Sequence, residues 1–257
     1  RCAVEIESIS KELYKNLGGI SPIDRDLFFD TDCLALLESK WELSQKVVIA
    51  SYINFHFEKD ENKILKPLHN AHIRGKADWK KAYQAVKHDR ANSLQKANLK
   101  HLIRAMAALF VLNLYYKDEV YTLDNNQKTI PSNMGSDIFD IKIHKYGGYD
   151  GKNNYLKKED FKECVYLTKR TDDSQKLWIE ATEKTDIEFR KLLQEHPKFK
   201  QALQENPNFI ADYSGKNLAW DLLEKDEYIK MLSKATHFMT EASKNSKDEA
   251  VLNKVQV

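Results

Sequence analysis

The chain has 257 residues, a formal net charge of +2, 42% hydrophobic residues and 11% aromatics. That is apolar material for one large domain or two small ones, and the near balance of signs excludes disorder driven by charge. Eight glycines and five prolines are too few for a chain of hairpins, so the expected fold class is mainly α.

The elements follow in chain order. Ile6, Ile9, Leu13 and Tyr14 recur at helical spacing, and Gly18-Gly19 closes that helix. Asp30-Thr31-Asp32 reads as an N-cap for a second helix, which the pattern carries through Trp41 and Leu43 to about Ala50. Val47-Val48-Ile49-Ala50 alone would suit a strand, but its continuity with the helix favours helix. Residues 51–75 form a polar connection with one short helix near Ile64 to Ala71. Asp78 caps a helix from Trp79 to about Asn92, and a longer one runs from about Leu94 to Tyr116.

After Asp118 the pattern changes. Val120–Leu123, Asp137–Ile143 and Cys164–Thr168 are expected as short strands, with a loop at Tyr146–Gly151. Helices resume over Ser174–Glu195, Pro197–Glu205 and Leu218–Ala242. The expected organisation is a helical bundle over 1–118, a mixed insertion with short strands over 119–170, C-terminal helices over 171–242 and a frayed tail over 243–257.

Cys2, Cys33 and Cys164 are odd in number and far apart, so a disulfide framework and a structural zinc site are not expected. The chain shows no signal peptide, and its longest apolar run, Ala105–Tyr116, is too short for a bilayer. A cytoplasmic protein without a membrane partner is the expectation.

Charge is concentrated. From Ile73 to Arg104 nine basic residues face two acidic ones, a local +7 that leaves −5 on the rest. Such a segment fits a polyanion such as RNA, or simply a solvated helix face. Lys80, Lys87, Lys96, Lys100 and Arg104 are the candidate RNA contacts. His88 is the candidate general base or acid, and Arg90 the cation for a phosphate in metal-independent RNA cleavage. On one ideal helix these two would point about 200° apart, so they need a helix break or a second protomer to share a site.

The stretch Trp79-Lys-Lys-Ala-Tyr83-Gln-Ala-Val-Lys87-His88-Asp89-Arg90, followed by Ala97-Asn98-Leu99 and an Ala/Leu-rich helix, resembles HEPN-type domains. The resemblance covers about residues 3–117. It implies a four- or five-helix bundle, a homodimer, and RNA cleavage in bacterial antiphage, abortive-infection or toxin–antitoxin defence, with a phage or antitoxin protein as a further partner. The family's motif runs Arg, four to six residues, His; here His88 precedes Arg90. A formal match, Arg190 to His196, is of a kind expected by chance, and His196 reads better as a histidine at a helix C-terminus.

Other motifs carry less. His69 and His72 have metal-ligand spacing but are only two. No Walker loop, Rossmann glycine fingerprint or GxSxG occurs, and no cofactor is expected. Tyr146, Tyr149 and Tyr155 suit base stacking, or packing of their loop. Two readings compete with the nuclease: a non-catalytic sensor or RNA-binding module, and an interaction scaffold built on Leu99–Tyr116.

Overall fold

The computed structural model describes residues 1–123, 129–145 and 157–255. The fold is mainly helical, with eleven α-helices among the described residues and two small sheets. The chain divides into two compact units: Arg1–Lys169 with Glu249–Val257, and Arg170–Asp248. The second unit is thus inserted near the end of the first, and the units do not divide at the boundary expected near 118.

In the first unit, α1 (Cys2–Asn16) buries Ala3, Ile6, Ser10 and Leu13 on one face. Gly18, at φ +78°, turns the chain out of the helix, and a Cβ on Gly19 would stand 2.4 Å from the Tyr14 ring. A π-helical turn follows at Phe29–Leu34, then α2 (Ala35–Trp41). The expected Asp30–Asp32 cap does not form: Asp32 holds Arg25 through two bonds and accepts from the Phe28 N–H, while Asp30 is bonded to Lys80.

The second helix stops well before Ala50. Glu42 adopts a left-handed conformation (φ 49°), and the Glu38 carboxylate accepts from the Ser44 N–H and Oγ across the turn. Val48–Ala50 is strand β1, paired antiparallel to β2 (Ile64–Leu65) and to β4 (Phe139–Ile141). β-Branched Val48 and Ile49 suit that pleated, half-buried position. The helix expected near Ile64–Ala71 is β2 followed by turns; Pro67 withholds a donor there, and Asn70 sits at φ 55°.

Helix α3 (Asp78–His88) buries Trp79 and Ala82 and ends four residues earlier than expected. Asp89 leaves the helical region (φ −144°, ψ 75°), and its side chain caps α4 (Arg90–Ser93) by accepting from the Asn92 N–H. After a 3₁₀ turn at Leu94–Lys96 comes α5 (Leu99–Lys117), capped by Asn98. This is the central helix. Ala105, Ala107 and Ala108 let neighbours approach closely, Val111, Leu112 and Tyr115 are buried in the core that α5 shares with α1, and Phe110 stacks on Phe139 of β4.

The strands β3 (Tyr121–Leu123), β5 (Ile143–His144), β6 (Tyr166–Arg170) and β7 (Asp248–Leu252) form a second sheet in the order β3-β7-β6-β5, with β5 and β6 parallel. The expected frayed tail is corrected here. Ala250 and Leu252 are buried, and β7 lies between two other strands. Asn253 anchors it: its amide donates to the Phe161 and Cys164 carbonyls, and its own carbonyl accepts from the Tyr115 hydroxyl at 2.7 Å.

The second unit holds α6 (Asp172–Glu195), α7 (Pro197–Glu205), α8 (Phe209–Asp212), α9 (Leu218–Leu222), α10 (Lys225–Ala235) and α11 (His237–Asn245). Thr171 caps α6 at Ser174, and α10 and α11 pack on α6. The single helix expected over 218–242 is three, interrupted at Leu223 and Thr236. No helix among the described residues is long and apolar enough to cross a membrane. The Tyr146–Gly151 loop and the cluster Tyr146, Tyr149 and Tyr155 lie outside the described residues.

Candidate nucleic-acid interface

The basic segment folds as α3, α4, a 3₁₀ turn and the start of α5, all within the first unit. Two of its nine cations are spent internally. Lys80, expected as an RNA contact, is bonded to Asp30, which is only 5% exposed, and lies 4.6 Å over the Phe29 ring. Arg104 is paired with Asp78. The other seven, Arg74, Lys76, Lys81, Lys87, Arg90, Lys96 and Lys100, are exposed and make no ion pair among the described residues. Lys87 sits 5.9 Å from the Tyr83 ring centre.

His88 and Arg90 are both exposed. The helix break falls at Asp89, directly between them, so the opposed directions of a single helix do not apply. The ring of His88 donates from Nε2 to the Gln84 side-chain oxygen at 3.2 Å, which leaves Nδ1 as an acceptor. A neutral ring so held keeps one lone pair toward solvent and is oriented by a neighbour one turn earlier.

Four clefts of this unit bear on the basic segment and its surroundings. One of 610 Å³ is lined by Lys66, His69, Lys76, Asp78 and Arg104, among others. A second of 500 Å³ takes Asn62, Lys100 and Ile103, and shares Leu65 and Arg104 with the first. Together they gather Lys66, Lys76, Lys100 and Arg104 with Glu58, Glu61 and Asp78, and two of these cations are already paired, Lys66 with Glu163 and Arg104 with Asp78. A third, of 640 Å³, has Asp30 and Lys80 in its lining beside Arg74 and Gln84. The fourth, of 450 Å³, is largely apolar and lies between α1, α3 and α5. His88 and Arg90 line none of these four.

Sequence reasoning named Lys100 and Arg104 as contacts and counted Lys76 in the basic segment, but missed that Lys66, His69 and Lys76 line one cleft with Arg104. The signal was present in the basic and imidazole side chains around Pro67, but not the fold that brings them to α5. It also missed His101, whose Nδ1 lies 2.8 Å from the Lys96 carbonyl. Among the described residues no three His, Cys, Asp or Glu side chains converge to hold a metal ion. His69 lines the 610 Å³ cleft and His72 is half-buried. His196 caps α7, its Nδ1 accepting from the Lys198 N–H at 3.3 Å, so its partner is backbone rather than Arg190.

No protein-family model, curated protein or solved structure matches the chain.

Proposed function

We propose that the chain is an RNA-contacting effector of HEPN type, acting in bacterial antiphage or toxin–antitoxin defence, and that the face built from α3, α4 and the start of α5 carries the contact. The supporting observation is the set of exposed cations in that segment that make no ion pair among the described residues, Lys81, Lys87, Arg90, Lys96 and Lys100. Phosphates draw lysine and arginine that are not already satisfied, because binding releases counterions from the nucleic acid. Lys80 and Arg104 support the fold first, through Asp30 and Asp78.

Cleavage is the stronger form of the proposal. Nδ1 of His88 would take the proton of a 2′-hydroxyl as its oxygen bonds to the adjacent phosphorus, giving a 2′,3′-cyclic phosphate. The P–O5′ bond breaks, the 5′-oxygen leaves with a proton from water, and Arg90 would stabilise charge on the phosphate. The break at Asp89 and the free Nδ1 favour it. A non-catalytic RNA-binding sensor is the second reading, favoured by the absence of both side chains from the four clefts.

The test is incubation with single-stranded RNA at low salt in the presence of a chelator. Retardation together with new RNA termini supports the nuclease, and retardation alone supports the sensor. No retardation would reject both.

A further inference from the structure

The apolar cleft between α1, α3 and α5 is chemically unlike the charged clefts beside it. Its walls are Trp79, Ala82, Tyr83, Val86, Leu102 and Ala105, and no acidic side chain among the described residues lines it. The indole N–H of Trp79 is already bonded to the Pro67 carbonyl at 3.0 Å, so that side chain offers the cleft only carbon surface. A volume of 450 Å³ falls in the roughly 300–1,000 Å³ range of small-ligand sites.

Polar groups enter through Asn98 and His101. The Asn98 Oδ1 accepts from the His101 N–H as the cap of α5, which leaves the amide nitrogen to donate. The His101 Nδ1 faces a backbone carbonyl, that of Lys96, which can only accept. Nδ1 therefore carries the proton, and in the neutral ring Nε2 is an acceptor. The cleft thus holds an aromatic wall, a donor and an acceptor. Cationic side chains stand at its edge: Arg1 is in the lining, Lys87 lies over the Tyr83 ring, and Lys96 is the residue whose backbone carbonyl holds His101.

We infer that this cleft takes one unstacked base of a single-stranded RNA, stacked on Tyr83 and hydrogen-bonded at its edge by Asn98 and His101, while the flanking phosphates lie on Lys87 and Lys96. The inference rests on the RNA reading above and adds to it that the RNA is single-stranded. Single-stranded recognition commonly works this way, with an aromatic side chain for the base and cations for the backbone. An acidic peptide with an apolar side chain would satisfy the lysines and the walls, and its backbone could meet the Asn98 and His101 edge groups, but its aliphatic side chain has no flat face to stack on Tyr83.

The experiment measures affinity of the whole chain, by fluorescence anisotropy, for a short labelled oligoribonucleotide and for an oligomer of equal length and charge whose sugars are abasic. The expected result is binding of both, with the intact oligomer about tenfold tighter, the size of one stacked base. Tyr83→Ala, and Val86→Trp as a filler of the cleft, are expected to bring the intact oligomer down to the abasic level and leave abasic binding unchanged. Tyr83→Phe is expected to retain the preference. Equal affinity of the unmutated protein for the two oligomers would overturn the inference while leaving the RNA reading standing; this comparison needs no variant to fold. Equal affinity together with displacement by an acidic, leucine-containing peptide would assign the cleft to a peptide. Binding of neither oligomer would remove the RNA reading itself.

Discussion

Lys80 of α3 is bonded to Asp30 of the π-helical turn, joining two segments fifty positions apart in the chain at the lining of one cleft. Both side chains are largely buried, at 12% and 7% exposed. The lysine holds the Asp30 carboxyl below its ordinary value although burial alone would raise it. Removing the lysine leaves a buried, unpaired carboxylate. Lys80→Ala is therefore expected to lower stability by about 3 kcal/mol, measured by urea unfolding. Lys80→Met with Asp30→Asn is expected to recover much of that loss. A loss below about 0.5 kcal/mol for the single change would show that the pair does not hold the turn.

A second buried lysine behaves differently. Lys46 is fully buried and donates to the Lys162 carbonyl at 3.1 Å. Burial pushes its amine down from 10.5 to about 8. Between those values the unfolded chain binds more protons than the folded one, so stability rises with pH through that window. Below about pH 8 both states are protonated and the amine is a net burden on the fold. Lys46→Met is expected to raise stability at pH 7 by about 1–3 kcal/mol. It is also expected to flatten the rise between pH 8 and 9.5. An unchanged slope in the variant would assign that rise to another group.

The three free thiols should separate by accessibility. Cys33 and Cys164 are buried, and burial pushes each thiol up to about 11. Cys2 is half-buried near the start of α1. At pH 8 the native protein is expected to react at Cys2 within minutes, and at all three sites only after unfolding, because the thiolate is the reactive form. Mass spectrometry of the alkylated chain counts the adducts. Fast native labelling of Cys33 or Cys164 would contradict the packing around the π-helical turn or β6.

His88→Ala and Arg90→Ala remove exposed side chains. Each is expected to change stability by less than about 0.5 kcal/mol. If the proposed chemistry holds, each lowers RNA cleavage by about 100-fold or more, with RNA binding nearly unchanged for His88→Ala. Full cleavage or full cell toxicity in both variants would remove these residues from the chemistry.

Much of the architecture was legible from periodicity. The interior of α5, the whole of α7 and nearly all of α6 follow apolar spacing with a Thr or Asn cap or an N1 proline, and these signals are local. Strand β1 was not legible as strand, because its pairing depends on Leu65 and Ile141, which lie far off in sequence. Strand β7 was hidden for the same reason; its neighbours in the sheet, β3 and β6, are distant in the chain. Charge concentration was visible, but its division was not. Nothing local to Lys80 reveals Asp30, and nothing local to Arg104 reveals Asp78. The Asp89 break is a capping effect that the Asp89–Asn92 spacing encodes, and helical continuity masked it.

The most direct measurement is the salt dependence of RNA affinity for the unmutated chain and for a Lys87→Ala, Lys96→Ala double variant. The expected logarithmic plot falls linearly with salt. Its slope is about 1.4 shallower in the double variant, about 0.7 for each single-strand phosphate that a lysine no longer neutralises. Lys15→Ala on α1, whose cation is paired with Glu12, should leave the slope unchanged. Absence of RNA binding at low salt, or one slope shared by the unmutated chain and the double variant, would contradict an RNA-binding role for this basic face.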